Sequence, residues 1–203
     1  MATTTTNYGF DIPQSTDLVK DGATAIATLG QDIDTAMNTA LGTKKAGMVL
    51  LNTTSFSGVS SQSVSDVFST TYDNYFLLIR TTASSDNINI RLRVGGSDDS
   101  TSNYHNLGLR ITTTVDRIAS YGQTSYRLGE ASTGKGAIQA VIYGPFLAAL
   151  TQFNGLITNG FNNPMENGFQ MGAHNVATSY TGFTLIPASG TMTGNVSVYG
   201  YSK

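Results

Sequence analysis

The chain has 203 residues, enough for one large domain or for one domain with an appendage. Charged residues make up 12% and the net charge is −2, so there is no basic field for nucleic acid or an anionic membrane surface. Cysteine is absent, which excludes disulfides and thiolate metal sites.

The opening stretch, MATTTTNYGFDIP, has neither a basic n-region nor an apolar h-region, so no secretory leader is expected. Two readings are open for residues 1–16. They form a tail without structure of its own, or an extended peptide that orders on a partner, with Tyr8, Phe10 and Ile12 as apolar anchors.

Residues 17–42, DLVKDGATAIATLGQDIDTAMNTALG, read as a helix. Ser15 or Thr16 offers an N-cap hydroxyl, and Asp17 and Asp21 suit the positive end of the helix dipole. Gly42 is a natural stop, with Lys44 and Lys45 following at the negative end. Val19, Ile26, Ile33 and Ala40 recur as heptad a positions, and Gly22, Leu29 and Ala36 as d positions. Such a stripe is narrow. It suits a seam between like helices better than a helix laid across the broad core of its own chain, although the second arrangement is also open. The expected trimerising set is Val19, Ile26, Leu29 and Ile33.

From residue 43 onward the apolar period becomes two. AGMVLLNTTSFSG opens a strand, and YDNYFLLIRTT reads as a more fully buried one. In INIRLRVGG, Ile88, Ile90, Leu92 and Val94 face one way and Arg91 and Arg93 the other. Seven further strands are expected from HNLGLRITTT to NVSVYGYSK, separated by turn clusters such as GGSDDSTSN, STGKG and NNPMENG. The fold class is therefore mainly β: a short N-terminal coiled-coil helix, then an antiparallel β-sandwich or jelly-roll-like domain over 43–203. The run AIQAVIYGPFLAAL is too short to span a bilayer and is interrupted by Gln139, Gly144 and Pro145, so no membrane insertion is expected.

No catalytic constellation stands out. His105 and His174 lie in different segments, without metal-ligand spacing, and no nucleophile elbow is present. Asp98 and Asp99 read as a solvated turn rather than a calcium loop. Glu130 and Glu166, the only glutamates, lie in or near loops. Rings beside amides in loops are the usual material of sugar recognition. Tyr104 and His105 in SNYHN, with Phe161 and Asn162 in NGFNNPMENGF, fit that pattern, and each also fits a turn beside a core aromatic.

In its phrasing the chain resembles fibre proteins of tailed bacteriophages. STDLVKDGATAIATLGQDIDTAM is similar to an N-terminal segment of such virion proteins, and GMVLLNTTSFSGVSS, TYDNYFLLI and GFTLIPASGTMTGNVSVYGY resemble the sandwich that follows it. The resemblance implies a homotrimer located in the virion. Residues 1–16 would attach it to other virion proteins, residues 17–42 would trimerise, and the β domain would bind a host-surface glycan or protein, with no enzymatic activity and no cofactor. A purely structural virion component and a depolymerising enzyme remain as rival expectations.

Overall fold

The computed structural model describes residues 3–12, 18–42, 47–129, 135–160 and 166–203. The chain divides into two compact units, Met1–Gly47 with Ser202 and Met48–Tyr201 with Lys203.

In the N-terminal unit, β1 (Thr3–Thr4) pairs antiparallel with β2 (Asp11–Ile12). Thr5 closes the turn. Its carbonyl accepts from the Gly9 amide at 3.0 Å, and its hydroxyl accepts from the Phe10 amide at 2.9 Å. Gly9 sits at φ +68°, a left-handed conformation that glycine adopts without steric cost. The expected extended peptide is thus, over its described part, a small hairpin. The Tyr8 ring stacks on Phe10 at 5.5 Å yet remains 74% exposed, and Ile12 is exposed too.

The helix α1 (Val19–Met37) begins later than expected. Its N-cap is Leu18, which makes no side-chain capping bond; the expected caps Ser15 and Thr16, with Asp17, lie outside the described residues. Past Met37 the chain continues as a wider π-helical turn through Asn38–Gly42. Gly42 ends the helical run as expected, and Lys44 and Lys45 lie outside the described residues. Leu29 is half-buried, but Val19 is 97% and Ile26 66% exposed, and Ile33 is exposed as well. Most of the heptad stripe therefore has no cover within the single chain.

The second unit is a β-sandwich. Its strands are β3 (Met48–Val59), β4 (Gln62–Val64), β5 (Asn74–Ser84), β6 (Ile88–Val94), β7 (Ser97–Asp98), β8 (Tyr104–Ile111), β9 (Val115–Gln123), β10 (Tyr126–Gly129), β11 (Lys135–Tyr143), β12 (Thr151–Gly160), β13 (Glu166–His174), β14 (Gly182–Pro187) and β15 (Met192–Tyr201). One sheet runs β3-β15-β5-β11-β12-β13-β8-β9, and the other runs β10-β6-β14-β4 with β7 on β6. Every pairing is antiparallel.

Alternation along the strands builds the core. Tyr75, Leu77 and Ile79 from β5, Ile138 and Ile142 from β11, and Phe153 and Ile157 from β12 point inward from the large sheet. They share the core with Ile88, Ile90 and Leu92 of β6 and Phe183 and Leu185 of β14. Val94 departs from the expected face pattern and is exposed, because β6 ends there in the turn to β7. As expected, β5 is more fully buried than β3; Leu78, on its outer face, is exposed in the single chain. Among the described residues no helix is long and apolar enough to cross a membrane.

Candidate functional site

Two clusters bring chemistry-bearing residues together, one inside the sandwich and one on its surface. The inner cluster forms where the segment after β7 meets the ends of β8 and β13. Asp99 accepts from the Thr101 amide at 2.9 Å, the Thr101 hydroxyl at 2.5 Å and the Tyr180 hydroxyl at 2.5 Å. The His174 Nε2 lies 3.5 Å from the same carboxylate, and its Nδ1 lies 3.3 Å from the Tyr180 oxygen. Burial pushes the Asp99 carboxyl up, but the bonds from Thr101 and Tyr180 outweigh it and hold the group below its ordinary range. Burial holds His174 below the usual imidazole value, with nearby Asp99 opposing only part of that shift. The same burial raises Tyr180 and Tyr104.

An aspartate, a histidine and a hydroxyl in contact raise the question of hydrolytic chemistry. His174 and Tyr180 are fully buried, and Tyr180 donates its proton to Asp99 rather than being held as a nucleophile. The arrangement engages the Tyr180 hydroxyl and the Asp99 carboxylate at the sandwich end, while the buried His174 Nε2 makes no hydrogen bond. Asp98 is likewise engaged: it pairs with Arg93 and accepts from the Thr184 hydroxyl at 2.6 Å. The reading of Asp98 and Asp99 as a solvated turn is therefore corrected. Among the described residues no group of three His, Asp or Glu side chains converges as metal ligands would.

Tyr104 belongs to this inner cluster. It is fully buried, its ring lies 4.1 Å from that of His174, and its hydroxyl accepts from the Leu92 amide and donates to the Asp99 carbonyl, each at 2.9 Å. Tyr104 has no surface to offer a receptor, which corrects the sequence expectation. It opens β8 on the inward parity, and its neighbour His105 takes the outward one.

His105 leads to the second cluster, a groove of about 430 Å³ on the outer face of the large sheet. Tyr121, Tyr143, Gln152, Asn154 and Met171 line it with His105. Tyr121 is 62% exposed and its ring lies 5.9 Å from that of His105. The Asn154 amide donates to the Tyr143 hydroxyl at 3.0 Å, which fixes the ring beside the amide. Strand register assembles these positions, with Tyr143 opposite Gln152, Gln152 opposite Ala173 and Ala173 opposite His105. Here rings and amides adjoin on a surface, as sugar recognition requires. Of the expected set, His105 alone contributes among the described residues. Phe161 and Asn162 lie outside the described residues, as do Asn163 and Glu130. Sequence reasoning missed Tyr121, Tyr143, Gln152 and Asn154, because it looked for rings and amides adjacent in one loop.

No family model, curated protein or solved structure matches this chain.

Proposed function

We propose that the protein is a fibre-type component of a bacteriophage virion that binds a host-surface glycan through its β domain, without catalysis. Attachment to the particle is assigned to residues 1–16, where Tyr8 and Ile12 are left exposed. Self-association is assigned in part to the exposed stripe of Val19, Ile26 and Ile33. The observation that carries the binding reading is the open groove of His105, Tyr121 and Tyr143 beside Gln152 and Asn154. A ring stacks on the apolar face of a sugar, and an amide both donates to and accepts from its hydroxyls. Such a site is weak by itself, and several copies on one fibre raise avidity by roughly 10²–10⁴.

The test is a glycan array and a host-cell adsorption assay with labelled full-length protein. Tyr121→Ala is expected to abolish the signal at unchanged oligomeric mass. Release of reducing sugar would assign the protein to the depolymerases instead. Presence in purified particles together with no binding by either assay would make it a purely structural component.

A further inference from the structure

The outer faces of the two sheets differ in kind. The smaller sheet carries polar side chains on its outer parity, Ser63, Arg91, Arg93 and Thr184, with Thr184 buried beside the Arg93–Asp98 pair. The larger sheet is more apolar. In β5 the run YFLLI is apolar on both parities: Tyr75, Leu77 and Ile79 are buried inward, leaving Phe76 and Leu78 outward. In β11, Ile138, Ala140 and Ile142 point inward and Val141 and Tyr143 outward.

Register gathers these outward residues into continuous rows. One runs from Tyr199 through Phe76, Val141, Asn154 and Met171 to Leu107. The next runs from Leu78 through Gln139, Leu156 and Phe169 to Leu109. Neither stretch contains an ionised side chain; Arg80 and Arg117 stand at its margins. Leu156, near the centre, is 59% exposed.

Charge indicates the occupant. The two rows cross six strands, β15 to β8, which at 4.7–4.9 Å spacing span about 24 Å. Two outward positions per strand cover about 14 Å, so the uncharged rows measure on the order of 350 Å² in projection. That supplies about half of the ~800 Å² that each partner gives to a standard interface. A two-fold symmetric contact sets a surface against its own copy, so fixed charge there would oppose like charge. This face has none in its central rows, and Gln139 and Asn154 carry amides able to donate to and accept from identical groups. The helix stripe of Val19, Ile26 and Ile33 is a second exposed, uncharged surface in the same chain with the same need for a like partner.

We infer that the outer face of the eight-stranded sheet is the surface on which copies of this chain meet, with Leu156 at its centre. The inference rests on the self-association part of the reading above and adds the sheet to the helix as its seat. The groove around Tyr121 and Tyr143 shares Leu107, Asn154 and Met171 with the first of these rows, so a copy seated there borders the groove directly, and the groove's other outward residues lie one outward position further along the strands.

The test uses the full chain at micromolar concentration in sedimentation equilibrium, with far-UV circular dichroism as the check on folding. The wild type is expected at a multiple of 21.4 kDa, and Leu156→Asp at a mass falling towards that value. Because the chain has no cysteine, Leu156→Cys and Ser60→Cys serve as single reporters, each compared with the wild type by circular dichroism. Leu156→Cys should react with maleimide about tenfold more slowly than exposed Ser60→Cys, as expected inside a water-excluding contact. Equal labelling rates would overturn the inference. So would an unchanged mass in Leu156→Asp while Ile33→Asp dissociates, which leaves self-association to the helix alone. A monomeric wild type would overturn both.

Discussion

Replacing Asp99 by Ala removes an acceptor on which a buried hydroxyl depends. Of the three bonds to the Asp99 carboxylate, two come from Thr101, which is exposed, so water replaces them at little cost. The third comes from Tyr180, fully buried, at 2.5 Å. A hydrogen bond to a charged group contributes about 1.5–3 kcal/mol, and stranding its buried partner costs in the same range. The expected loss is therefore about 2–3 kcal/mol. For a chain of this size each kcal/mol lowers the melting temperature by about 2–4 °C, which gives a fall of about 4–12 °C. Asp99→Asn keeps one acceptor oxygen for Tyr180 and should lose about half as much. Urea unfolding followed by circular dichroism measures both variants. A loss below about 0.5 kcal/mol in Asp99→Ala would refute the reasoning, since it would mean that water or His174 fully replaces the carboxylate.

Acid should weaken the wild type through the same cluster, with both groups acting in one direction. His174 is held below its ordinary value by burial, so below pH ~6.5 the unfolded chain takes up a proton that the folded chain refuses. Stability is lost as pH falls through that window. Asp99 is held below the ordinary carboxyl range, so its contribution is present above pH ~3.9 and disappears as pH falls through its folded value. His174→Phe should flatten the first window in urea titrations between pH 7 and 5 and leave the second.

Other expectations follow from the packing. Gly172→Ala would place a Cβ 2.0 Å from the His105 carbonyl oxygen and 2.7 Å from the Tyr126 ring. It should cost about 2–3 kcal/mol in denaturant unfolding through overpacking. Gly30→Ala meets nothing within 4 Å, and it should strengthen the helix by about 0.8–1 kcal/mol, read as a higher melting temperature of the helical signal. Deleting residues 1–16 should leave the β-domain circular dichroism spectrum intact while abolishing incorporation into particles, measured by immunoblot of purified virions.

Local periodicity was sufficient to locate most elements. Alternation in INIRLRV placed Ile88, Ile90 and Leu92 in the core, and the heptad spacing put Val19, Ile26 and Ile33 on one helix stripe. SYGQTSYRLGE, read as one strand, divides between β9 and β10, which belong to different sheets, because a change of sheet leaves no trace in a period of two. The helix starts at Val19 behind Leu18, whose apolar side chain can make no capping bond and so leaves no N-cap signal in sequence. Alternation also states that Tyr104 and His105 point opposite ways without stating which way is inward. Only the second sheet decides that, and it buries Tyr104. The groove depended on tertiary structure still more. Tyr121, Tyr143, Gln152 and Met171 come from four strands, and hydrogen-bond register across β9, β11, β12 and β13 sets them beside His105. The run YFLLI reads in sequence as a more fully buried strand, but which of its two parities is inward, Tyr75, Leu77 and Ile79, was decided by the second sheet, because a run apolar on both parities carries no alternation to say so.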